Sequence, residues 1–95
     1  MGNEDFIRLI KESVVYYSNA THKSEKPITN DDVYVVWMTK VLQNNKALAA
    51  TTLADNMYYE ITYNGDRQEA YVDAYVKEKN FVVDCRPEVP NGVNA

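Results

Sequence analysis

Three short pairs, Asn44-Asn45, Asp55-Asn56 and Asn64-Gly65, divide the middle of the 95-residue chain into strand-length pieces. Asn-Gly, and less strongly Asn-Asn and Asp-Asn, tolerate the positive φ angles that two-residue hairpins require. Taken as hairpin turns, they predict strands at roughly 36–43, 46–54, 57–63 and 66–76 in one antiparallel meander.

Two-residue turns also fix register, and register assigns each side chain to a face. Val41 then meets Leu48, Ala50 meets Ile61, Tyr59 meets Ala70 and Met57 meets Val72. One face gathers Trp37, Val41, Leu48, Ala50, Met57, Tyr59, Ile61 and Val72, with Thr39, Thr52 and Gln68 as polar exceptions. The other gathers Met38, Lys40, Leu42, Leu53, Tyr58, Glu60, Arg67, Tyr71, Asp73 and Tyr75. Trp37 is expected in the core, where its loss would cost about 3–5 kcal/mol. Glu60 falls opposite Glu69, a like-charge pair that needs a bulge in the last strand, or Lys40 or Arg67 nearby.

Ahead of the turns, Phe6, Ile7, Ile10, Val14 and Tyr17 recur at three- and four-residue spacing and predict an amphipathic helix over 3–18. Asn3 can cap it, and Glu4 and Asp5 suit the positive end of its dipole. Residues 18–28 are polar, contain Pro27 and read as a loop. Thr29 and Asp32 form a capping-box pattern that starts a short second helix near 30–36. The β-branched and aromatic run Val33-Tyr34-Val35-Val36-Trp37 favours strand by about residue 36. A helix running on to Leu42 along Val33, Trp37 and Val41 competes with it.

The expected fold is α+β: an antiparallel meander of three to four strands, with the N-terminal helix packed on its apolar face. Residues 1–83 make a single domain, and Phe81-Val82-Val83 can add a short edge strand. Residues 84–95, which hold Pro87, Pro90 and Gly92, are expected to be a disordered tail.

Composition narrows the function classes. A net charge of −4 works against nonspecific nucleic-acid binding, which needs a surplus of Lys and Arg. The lone Cys85 allows no internal disulfide and suits a reducing cytoplasm; its plain reading is a free thiol. Neither a signal peptide nor an apolar run long enough for a membrane span is present, so the Asn19-Ala20-Thr21 glycosylation triplet reads as accidental. The one histidine, His22, lies in the polar loop, leaving no Ser-His-Asp, Cys-His or metal-ligand pattern. Glu60 with Glu69 could serve as acid and base, but an exposed sheet face offers no cleft to separate their pKa values. The expectation is a non-enzyme without a cofactor.

The second face is the better candidate. Tyr58, Tyr71 and Tyr75 pair apolar rings with polar tips, which suits an interface. Lys40 and Arg67 could contact an anion. The plainer reading is a half-exposed sheet with cross-strand tyrosine pairs such as Tyr58 with Tyr71, each worth about 0.2–1 kcal/mol.

Four phrases carry a resemblance: residues 35–40 (VVWMTK), 42–48 (LQNNKAL), 58–66 (YYEITYNGD) and 71–75 (YVDAY). Over roughly residues 29–80 the chain resembles a family of small uncharacterised proteins encoded by phages and prophages of Gram-positive bacteria. The resemblance transfers no catalytic residue. It implies a compact accessory protein of the bacterial cytoplasm that binds and blocks, or sequesters, a host factor. The partner is then a host protein or a small nucleotide immune signal, and a homo-oligomer is expected. The alternative is a structural or assembly protein whose tyrosine-rich face serves only self-association.

Overall fold

The computed structural model describes residues 1–21 and 26–87. Helix α1 (Asn3–Thr21) and a 3-10 turn (Asn30–Asp32) precede four strands: β1 (Val33–Val41), β2 (Asn44–Thr51), β3 (Met57–Asn64) and β4 (Glu69–Val76). The strands form one antiparallel sheet in chain order, β1-β2-β3-β4. The chain is therefore α+β, a meander with its helix laid across one face.

In α1, Ser18 is buried outside the expected stripe, and the stripe residues Phe6, Ile10 and Val14 are buried one turn apart, as predicted. They pack on Ile28, Val33, Ala47, Ala49, Tyr59 and Ile61. Alanines at 47 and 49 let the helix approach β2 closely. The helix runs to Thr21 rather than ending near 18, and Thr21 Oγ1 donates back to the Tyr17 carbonyl at 2.9 Å. The Asn19 side chain then clips the returning chain. It donates to the Ile28 carbonyl and accepts from the Ile28 N–H, both at 3.0 Å.

The capping box closes a single 3-10 turn, and the second helix goes no further. Asp32 N–H donates to the Thr29 carbonyl, and Thr29 N–H donates to Asp32 Oδ2, each at 2.9 Å. That backbone bond to Asp32 Oδ2, with support from Thr52 and Thr29 hydroxyls, holds the Asp32 carboxyl below the usual carboxylate range. From Val33 the chain is strand, so the β-branched run prevails over the longer helix.

All three hairpins depart from the expected turns. The first turn is Leu42-Gln43, with Leu42 at φ 56°, and Val41 pairs with Asn44. Asn45 stays in β2 because its side chain is buried, donating to the Met1 carbonyl at 3.4 Å. The second connection is Thr52–Asn56. Thr52 is held off the ladder by Asp32, donating N–H to its carbonyl at 2.9 Å and Oγ1 to its Oδ1 at 3.2 Å. The third is Gly65–Gln68, with Gln68 at φ 54°. Asn64 Oδ1 there accepts the N–H groups of Asp66 and Arg67 at 3.1 and 3.2 Å. A Cβ on Gly65 would lie 2.2 Å from the Gln43 carbonyl oxygen, so only glycine fits against the first turn.

These shifts move side chains between faces. Ile61 meets Ala47 rather than Ala50, an odd displacement that turns β2 over relative to β3. A bulge between Val35 and Trp37 turns β1 over partway along. Val33, Val35 and Met38 consequently face the helix, whereas Trp37 is 45% exposed on the other face. The expectation that Trp37 is core is therefore corrected. The β3–β4 shift is even, so those faces stand, with Tyr59 opposite Ala74.

After β4, the Lys77 N–H donates to the Asn56 carbonyl at 2.7 Å and the chain leaves the sheet. Residues 77–87 are exposed throughout and form no strand, so Phe81-Val82-Val83 does not add an edge to its own sheet. Of the expected disordered tail, residues 88–95 lie outside the described residues. Within 84–87, Arg86 forks onto Asp84 at 2.6 Å.

Candidate functional site

The sheet face away from α1 is built of cross-strand rows. Tyr34 pairs with Ala50, and Tyr58 with Tyr75. Trp37 pairs with Leu48, Leu48 with Glu60, and Glu60 with Asp73. Thr39, Lys46, Thr62 and Tyr71 make the next row. Tyr34, Trp37, Tyr71 and Tyr75 are exposed and Tyr58 is half-buried, so an aromatic surface spans the face. Alternation on β3 and β4 puts the tyrosines here, while the bulge in β1 adds Trp37.

The expected site residues divide into two groups. Tyr58, Tyr71 and Tyr75 share this face as anticipated, although Tyr58 faces Tyr75 and Tyr71 faces Thr62. Arg67 reaches them from its loop, with its side chain at the Tyr71 hydroxyl, but Lys40 does not join them. Lys40 pairs with Asn45, whose buried side chain marks the helix side of the sheet. Arg67 lies in the Gly65–Gln68 loop. Two further cations lie by the outer face: Lys77, which lines a hollow with Tyr34 and Tyr58, and Lys46, with Nζ 3.5 Å from Glu60 Oε1. At this exposure the pair is worth about 0–1 kcal/mol.

Sequence reasoning missed Tyr34, Trp37 and Lys46. Consecutive exposed residues Val36 and Trp37 mark the bulge in the structure, but a uniformly apolar run hides it in the sequence. Glu60 and Glu69 are not opposite one another; Glu69 pairs with Asn64. The Tyr71 hydroxyl donates to Glu69 Oε2 at 2.6 Å, which pushes its pKa up and keeps it protonated. Among the described residues no three His, Cys, Asp or Glu side chains converge as a metal site requires. His22 lies outside the described residues.

Two further features lie on the helix side. An open groove of about 480 Å³ runs between α1 and β4, lined by Leu9, Ser13, Tyr16, Tyr17, Val72 and Ala74. Beneath its rim the Tyr17 ring meets Tyr59 edge-on, with centroids 5.9 Å apart. The Tyr59 hydroxyl and Ser18 Oγ are both buried and face each other, although among the described residues neither makes a well-formed hydrogen bond. Burial first, then the charge of Asp55, pushes the Tyr59 phenol up.

Among the described residues no helix is long and apolar enough to cross a membrane. No curated protein and no solved structure matches the chain. A family profile does match, and over residues 7–85 it takes in most of α1, the whole sheet and the segment beyond β4. The chain belongs to that family, a family of unknown function designated DUF6275.

Proposed function

We propose that this chain is a small non-enzymatic accessory protein of phages or prophages. It acts in the bacterial cytoplasm by binding and blocking a host protein through the outer face of its sheet. The observation that carries the reading is the aromatic surface of Tyr34, Trp37, Tyr58, Tyr71 and Tyr75 on a face that α1 leaves bare. Tyr and Trp supply large contact area at low entropic cost and dominate interface energetics. The phage setting rests on the resemblance of the Val35–Lys40, Tyr58–Asp66 and Tyr71–Tyr75 phrases.

A protein surface suits this face better than a nucleotide signal. The cations near the rings are dispersed, with Arg67 at the Tyr71 hydroxyl, Lys46 on Glu60 and Lys77 beside Tyr34 and Tyr58, rather than gathered around one phosphate-sized site.

The test is capture from infected host cells, with a Trp37→Ala/Tyr71→Ala variant beside the native chain. Capture of the same host protein in every preparation, lost in the variant at a nearly unchanged melting temperature, is expected. A variant that unfolds instead would make the face structural and end the proposal. Thermal-shift screening against cyclic and linear nucleotides addresses the sequestering version, and a clear shift would transfer the reading to it.

A further inference from the structure

The groove between α1 and β4, and the segment that follows β4, present complementary surfaces. Every residue of β4 is exposed, its core-side Val72 and Ala74 line the groove, and its outer edge pairs with no strand among the described residues. An unpaired edge beside an apolar groove is a template for a further strand. The segment beyond it has the composition of such a strand. Phe81, Val82 and Val83 are 72%, 90% and 69% exposed, a run of large apolar side chains in water.

The two cannot meet within one chain without a tight turn at Lys77-Glu78-Lys79-Asn80, which lacks glycine and proline, and the structure makes no such hairpin. Extended at about 3.3 Å per residue, Glu78–Cys85 spans about 26 Å, the length of the eight-residue β4. The family match ends at Cys85, so the segment belongs to the shared unit.

We infer that the occupant is a second copy of this chain. Residues 78–85 of each protomer lie along the β4 edge of the other, and Phe81 enters the partner's groove near Val72. One two-fold axis then satisfies both surfaces of both chains at once, as an isologous dimer requires. The groove volume of about 480 Å³ falls within the range that buries ligand-sized apolar groups. This interface lies on the helix side and edge of the sheet and does not depend on the outer face.

The test is light scattering coupled to gel filtration on the full chain at micromolar concentration. The native protein is expected at twice its 10.9 kDa chain mass. Phe81→Asp/Val83→Asp is expected to raise the dimer dissociation constant at least about tenfold. Its circular dichroism should match the native chain, because the altered residues touch no core. With residues 78–85 antiparallel to β4 and Phe81 near Val72, Cys85 lies by the start of the partner's β4. A second arm therefore mixes Ala70→Cys/Cys85→Ser with the native chain and adds a short bis-maleimide. Heterodimer cross-linked from the thiol introduced in β4 of one protomer to the native Cys85 of the other is expected in the mixture. It should be absent when both proteins also carry Phe81→Asp/Val83→Asp. A native chain that runs as a monomer overturns the inference. So does a dimer that survives the arm substitutions, or one abolished by Trp37→Ala/Tyr71→Ala instead.

Discussion

On the helix side of the sheet, β1–β3 and β4 occupy different environments although they share one ladder. Ala47, Ala49, Tyr59 and Ile61 are wholly shielded, while no residue of β4 is buried. The reason is dimensional. A helix is about 10–12 Å across, and four strands at about 4.8 Å spacing span more than about 14 Å. Helix α1 sits over β1 and β2 and reaches β3 through the Tyr17–Tyr59 contact, so the fourth strand is left open. Stability therefore concentrates in the helix and three strands, and surface available for association concentrates in the fourth.

The sharpest way to break this contrast is a matched pair of truncations. Phe6→Ala should cost about 3–5 kcal/mol in chemical denaturation, whereas Val72→Ala, measured at dilution, should cost less than about 1 kcal/mol. Equal losses would mean that β4 is as well covered as its neighbours. An intermediate effect is expected where the two regions join. Gly65→Ala brings a Cβ to 2.2 Å from the Gln43 carbonyl oxygen and 2.9 Å from Gln43 Cβ. It should cost about 1–3 kcal/mol. Loss of the Leu42-Gln43 turn should appear as amide chemical-shift changes at residues 41–45 of that variant.

The smallest effect sharpens the covered side. Tyr59→Phe removes a buried hydroxyl whose contact with Ser18 falls short of a well-formed hydrogen bond, so stability at neutral pH should change by no more than about 1 kcal/mol. The Tyr59 phenol is raised above its ordinary 10.0, so the native state holds that proton more tightly than the unfolded chain. Its contribution is present below that pH and lost as pH rises through the higher folded value. Denaturation curves from about pH 9 to 12 should thus show a shallower alkaline decline in Tyr59→Phe than in the native protein. An identical decline would place the responsible group elsewhere.

The helix stripe of Phe6, Ile10 and Val14, the Thr29–Asp32 capping box and the meander itself were legible in the sequence, because each rests on short-range periodicity or chemistry. The asparagines and aspartates of the supposed turns were recognised as loop-forming residues, but their tasks were misread. Asn64 and Asp55 accept backbone N–H groups in their loops, and Asn44 Oδ1 takes the Gly65 N–H across the sheet at 3.1 Å. What displaced the turns was tertiary: Asn45 reaching Met1, and Asp32 drawing Thr52 off the ladder. Side chains alternate, so the odd displacement between β2 and β3, together with the bulge in β1, sent Trp37 outward. The even displacement between β3 and β4 left Tyr58, Tyr71 and Tyr75 where the pattern put them. Half of the candidate site was therefore readable, and the half carried by β1 and β2 was not.

Strand order that follows chain order has a kinetic consequence. Each ladder closes only a short local loop, so the entropic barrier to pairing is low and the sheet can grow in step with synthesis. The helix, made first, must wait for β1, β2 and β3 before its apolar stripe is fully sheltered. The residues that shelter it are complete once Asn64 has been made, and β4 is the last strand to join. The monomer is thus assembled around a finished core, and its most adhesive segment is the last described part of the chain to emerge.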